Sequence, residues 1–144
     1  MRIFTIGFTK KTAEEFFTRL SSAGVTRLID VRLNNVSQLA GFSKRDDLRY
    51  FLKTICDIEY VHLPEFAPTQ EMLDDYRKAN HDWEAYATRF LALIAERNVE
   101  NTVDREIFRD SCLLCSEAEA DHCHRRLAAE YLRDRWGNVK IVHL

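Results

Sequence analysis

Five short apolar, β-branched runs alternating with segments of helical period predict an α/β protein: a three-layer α/β/α sandwich around a mostly parallel five-stranded sheet. The runs are "RIFTIG", "RLIDVR", "IEYVHL", "SCLLC" and "VKIVHL". Each is strand-length and flanked by turn or cap signals, and each pair is separated by enough residues for a crossover helix. Strands joined by helices require right-handed crossovers, hence parallel pairing with helices on both faces. The chain shows no internal repeat and no Gly/Ser/Pro linker, so residues 1–144 read as a single domain.

Gly7 closes the first strand, and Thr12 and Glu15 have capping-box spacing before a helix whose Ala13, Phe16, Phe17 and Leu20 share one face up to Gly24. After "RLIDVR" (27–32), Ser43 is the expected start of a second helix with Leu48, Phe51, Leu52 and Ile55 on its buried stripe. "IEYVHL" (58–63) runs into the proline-bearing loop "LPEFAPTQ". Residues 69–97 are helical with a break near Asn80. Met72, Leu73 and Tyr76 form one stripe, and Trp83, Tyr86, Ala87, Phe90 and Ile94 another, read as core or as a partner face. Residues 100–110 predict one more short helix, "SCLLC" the fourth strand, residues 120–136 a helix stopped by Gly137, and "VKIVHL" the last strand.

A chain of 144 residues can bury about two-thirds of its unfolded surface in one core, so folding needs neither metal nor disulfide. Hydrophobic residues make up 46% and charged residues 31%, the balance of a globular domain. With no long apolar run and no signal peptide, a cytoplasmic protein without a membrane span is expected. In that compartment the four cysteines are reduced. A net charge of −2 gives no reason for general nucleic-acid coating, while leaving room for a local basic pocket.

The chemistry concentrates at strand ends, where ligands collect in open α/β sheets. Strand alternation puts Asp30 and Arg32 on one side, either as a mutual ion pair or with Arg32 presenting its fork to a phosphate or carboxylate. The same period puts Cys115 and Glu117 together and Cys112 on the opposite face. Cys112 and Cys115 spell C-x-x-C inside a strand, a geometry unsuited to a redox pair or a zinc knuckle. Cys123 and His124 fall one turn before the buried stripe Leu127, Ala128, Tyr131 and Leu132, and so face inward near a helix start. Arg125 and Arg126 read as a solvated face unless one is aimed inward. Cys56 reads as a half-buried filler and His62 as a satisfied strand histidine.

"TIGF" at 5–8, "DVR" at 30–32, "GFSK" at 41–44, "IEYVHLPEF" at 58–66, "LLCSE" at 113–117 and "CHRRLAAEYL" at 123–132 together resemble the domain of unknown function 488 family. The combined "DVR" and "CxE…CHR" pattern is the specific part. The resemblance implies an α/β fold and a shared site, without implying a reaction. It marks Gly7, Asp30, Arg32, Ser43, Cys115, Glu117, Cys123, His124 and Arg125. Family members often carry a histidine and a serine where this chain has Phe8 and Thr9, and a proline after "DVR" where it has Leu33.

The favoured expectation is a small enzyme acting on an anionic, phosphate-bearing or nucleotide-like ligand. Cys115 or Cys123 would be the nucleophile, His124 or Glu117 the proton carrier, and Arg32 and Arg125 the clamp, with Gly7, Asp30 and Ser43 completing the ligand site. No cofactor is required. Two alternatives stand beside it: a ligand-binding or sensor module without chemistry, and a zinc or iron site formed by Cys115, Cys123 and His124, with Glu117 as a further ligand. Against the metal site stands the rarity of adjacent residues ligating one ion.

Overall fold

The computed structural model describes every residue except Ser37 and Ala118, with side chains also left out at positions 38–40. In chain order the elements are β1 (Arg2–Gly7), α1 (Ala13–Ala23), β2 (Arg27–Asp30), α2 (Arg45–Phe51), β3 (Glu59–His62), α3 (Gln70–Lys78), α4 (Trp83–Glu96), α5 (Val99–Thr102), β4 (Ser111–Cys115), α6 (His124–Trp136) and β5 (Lys140–His143). The strands form a sheet of order β3-β2-β4-β1-β5, and every neighbouring pair is parallel. The protein is thus an α/β fold, as its sequence predicts.

Strand order dictates the layers. The connections β1→β2 and β2→β3 run toward one edge, while β3→β4 and β4→β5 run toward the other. With a fixed crossover hand, helices of the two sets must lie on opposite faces. The cores agree: Phe16, Phe17, Leu20, Leu48 and Leu52 pack with Phe4, Ile6, Cys112 and Leu114 on one face. Phe90, Ile94, Leu127, Ala128 and Leu132 pack with Ile3, Ile29 and Leu113 on the other.

The caps behave as read for α1: the Thr12 hydroxyl accepts from the Glu15 amide at 3.1 Å, and Gly24 ends the helix with φ 80°. Other boundaries differ. The second helix begins at Arg45; Ser43 instead closes a 3-10 stretch, Gln38–Ser43, with its side chain buried. Past Phe51 the helix loosens into a π turn over Leu52–Cys56. That wider turn shifts the stripe, so Leu52 is buried while Ile55 is 59% exposed. Residues 100–110 hold the end of α5 and a 3-10 turn, Arg105–Phe108, instead of one helix. The last helix starts at His124, four residues later than the sequence suggests, because Cys123 takes an extended conformation (φ −137°, ψ 138°).

β4 lies between β1 and β2, with Gly7 level with Cys115 and Asp30 level with Leu114. The carboxyl ends of three strands therefore meet in the middle of the sheet.

Candidate functional site

Along β4 the side chains alternate: Cys112 and Leu114 enter the α1/α2 core, Leu113 the α4/α6 core. Cys115 follows Leu113 to the α6 side, which separates it from Cys112. The extended Cys123 and the first helical residue, His124, are carried back over the end of β4. Cys115, Cys123 and His124 are all buried, and their Sγ, Sγ and ring-nitrogen atoms lie within 4.8 Å of one another.

Hydrogen bonds fix the orientation of the His124 ring. Nε2 lies 2.7 Å from the Val31 carbonyl oxygen, which only accepts, so Nε2 carries a proton. Nδ1 then faces Cys115 Sγ at 3.5 Å. Phe90 packs edge-on against the ring at 5.4 Å. The Cys123 thiol, together with the His124 charge and the Ser116 amide, holds the Cys115 thiol well below its ordinary range despite burial. Burial, then the neighbouring Cys115, pushes the Cys123 thiol well up. Burial works against a charged His124, but the Cys115 sulfur and the Val31 carbonyl raise the ring above the usual imidazole range.

This group forms part of the lining of a cavity of about 410 Å³, within the ordinary range for small-molecule sites. Its walls are aromatic. Trp83 stacks on His122 (5.0 Å, 21°) and on Tyr86 (5.5 Å, 26°), and Tyr76 lies 5.0 Å from Tyr86. Opposite, the Arg32 guanidinium covers the Phe8 ring at 5.4 Å. Glu117 is exposed at the cavity mouth. Burial, helped by the charge of Glu117, raises the Tyr76 phenol. A second hollow, about 370 Å³ between α1 and the π turn, is lined largely by apolar side chains, Phe17, Phe42, Phe51 and Ile55 among them.

The residues marked in the sequence divide into two groups. Arg32, Cys115, Glu117, Cys123 and His124 line the cavity, whereas Gly7, Asp30, Ser43 and Arg125 do not. Asp30 is fully buried and accepts from Arg32 Nε and Nη2, both at 2.8 Å, from the Arg32 amide, and from the Tyr60 hydroxyl at 2.6 Å. The mutual ion pair is therefore formed, through Arg32 Nε and Nη2.

Arg125, only 1% exposed, turns inward. Its Nη1 donates to the Glu117 carbonyl and its Nε to Thr5 Oγ1 at 3.3 Å, tying α6 to β1 and the β4–α6 loop. Above Gly7 sits the chain's own Glu117 carbonyl, 1.6 Å from where a Cβ would stand. The close approach that a glycine permits is used there by backbone, not by a ligand.

The aromatic walls are what sequence reasoning missed. Trp83 and Tyr86 at helical spacing read as core, and Tyr86 and Phe90 are indeed buried, but Trp83, Tyr86 and Tyr76 also face the cavity. His122, expected early in the last helix and given no role there, supplies the stacking partner. Cys56 is half-buried, with Sγ 3.7 Å from the Phe17 carbonyl, and His62 is satisfied by the Arg32 carbonyl at 3.1 Å, both as read. Among the described residues, no helix is long and apolar enough to cross a membrane.

No curated protein and no solved structure matches the chain significantly. The family model for the domain of unknown function DUF488 matches residues 12–132, a span that holds both the "DVR" segment and the Cys115/Cys123/His124 group, and the chain belongs to that family.

Proposed function

We propose that the protein is a small enzyme acting on a flat, anionic, nucleotide-like ligand, with Cys115, Cys123 and His124 as its reacting centre. One observation carries the reading: three chemically capable side chains converge at an aromatic-walled cavity of about 410 Å³. The stacked Trp83, Tyr86 and His122 rings favour a planar ligand. Arg32 and Arg77 give the lining positive charge. Arg125 is spent on backbone and Thr5, so in this reading it positions the β4–α6 loop while Arg32 and Arg77 meet the anion. Glu117 at the mouth is the exposed proton acceptor.

The two tryptophans make a direct test possible. Trp136 packs on Phe108 away from the cavity, so Trp136→Phe leaves Trp83 as the sole indole reporter. Adenosine and guanosine monophosphate are expected to change Trp83 fluorescence saturably, more strongly than inorganic phosphate. Cys115→Ser should retain that binding while losing turnover of whichever nucleotide is consumed. If neither nucleotide perturbs Trp83, the ligand reading fails. If Cys115→Ser binds and turns over like the parent, the protein is not an enzyme of this kind.

A further inference from the structure

We propose that Cys115, Cys123 and His124 hold one zinc ion, with a fourth coordination position open to the aromatic cavity. The inference deepens the enzyme reading in what the ion would do there, but metal binding itself stands on the geometry of the three side chains.

The donor set comes first. Two thiols and one imidazole are the borderline-soft ligands that zinc prefers. With Zn–S near 2.3 Å and Zn–N near 2.0–2.1 Å, the edges of a tetrahedral site are roughly 3.5–3.8 Å. Cys115 Sγ stands 3.5 Å from His124 Nδ1, and all three donor atoms lie within 4.8 Å. Small rotations about the side-chain bonds suffice to close such a triangle on one ion.

The outer shell is also in place. Metal-ligating histidines donate their second ring N–H to a carboxylate or carbonyl, which fixes the ring and turns the other nitrogen to the metal. The Val31 carbonyl does this for Nε2 at 2.7 Å. Two thiolates and a divalent cation sum to zero charge, so the buried centre would carry no uncompensated ion.

Adjacent residues seldom share an ion because a regular helix or strand points them apart. Here the backbone changes between them: Cys123 is extended and His124 is the first helical residue, and both side chains turn to Cys115. Glu117, exposed at the mouth, is outside the group, which leaves the fourth position to water or ligand. Three protein ligands and an open position are the pattern of catalytic zinc, where the bound water becomes a nucleophile near neutral pH.

The test uses the metal alone. Protein stripped with a chelator and reloaded with Zn²⁺ is expected to retain about one ion per chain after desalting. Reloading with Co²⁺ is expected to give thiolate-to-cobalt charge-transfer bands and the intense visible bands of a tetrahedral site. Outer-shell changes cost roughly 10- to 100-fold in affinity, so Cys115→Ser, Cys123→Ser and His124→Gln should each weaken binding by at least about 100-fold. Cys112→Ser and Cys56→Ser should leave it intact. Wild-type protein that keeps no zinc and shows no cobalt–thiolate band overturns the proposal even if every variant misfolds, as does equal loss in Cys112→Ser. Because metal uptake is read without nucleotide, and Trp83 fluorescence on loaded and stripped protein, the two readings can fail separately. Zinc without nucleotide binding sinks only the enzyme, and nucleotide binding without zinc sinks only the metal.

Discussion

A methyl group at position 7 would fall on the Glu117 carbonyl, 1.6 Å from its oxygen and 2.9 Å from Arg125 Nη1. Backbone cannot yield there without lifting the β4–α6 loop that carries Glu117 and leads to Cys123. Gly7→Ala is therefore expected to lower stability by about 2–3 kcal/mol, read as a lower urea midpoint at unchanged slope. An unshifted midpoint would mean the loop is not pinned by that contact. The sequence shows why Gly7 stands out, a turn glycine at a strand end, but not what approaches it, because a crossing between residues 7 and 117 is a tertiary fact. The period of two left open whether Asp30 and Arg32 pair with each other or Arg32 turns to a ligand, but that they share a side was legible for the opposite reason, because that period is local to an extended chain. Arg125 was not, since helical period leaves open whether the first turn points to solvent or under the loop.

Among elements, the edge strand β5 carries a pH-sensitive tie. Thr5 Oγ1 accepts from Arg125 Nε and shares a second hydrogen bond with His143 Nδ1, 2.6 Å away. Partial burial, then the Arg125 and Arg126 charges, depress the His143 ring below its ordinary range, with Glu130 and Asp121 acting against them. The unfolded chain thus takes up the proton first as pH falls below about 6.5, and stability contributed by the neutral ring declines from there until the folded ring titrates too. Hydrogen exchange at the Leu144 amide, which donates to the Thr5 carbonyl at 2.8 Å, reads this directly. Its protection factor is expected to drop between about pH 7 and pH 5, and to be flatter in His143→Gln; identical profiles would remove His143 as the cause. The helices teach a related lesson. Caps with a side-chain signature, such as Thr12, were readable to the residue, whereas the start of α6 was not, because Cys123 ends its loop without a capping hydrogen bond of its own.

At the scale of the whole molecule, the alternation of strands and helices made the α/β class legible, but nothing in local pattern gives the order β3-β2-β4-β1-β5. That order puts "SCLLC" at the centre of the sheet, between β1 and β2, and so brings "DVR" beside the CxE…CHR segment. It also explains why the cavity walls were read as core: helical period marks Trp83 and Tyr86 as inward-facing, and only the packing of α3, α4 and α6 leaves a hollow there. The same order makes the four thiols report on different events. Cys112 lies on the central strand, fully buried between α1, α2 and the sheet, and burial raises its thiol far above the reactive range. A reagent can reach it only when the two layers separate, which for a domain of this size is global unfolding. Cys56, half-buried at the π turn, needs only a local opening. In mass-resolved thiol labelling of the native chain, Cys56 is expected to react first and with little urea dependence. Cys112 should react last, with the free energy and urea slope of the equilibrium transition. Labelling of Cys112 at the Cys56 rate would mean that the α1/α2 layer opens by itself, and that the sheet does not hold the two cores in one cooperative unit.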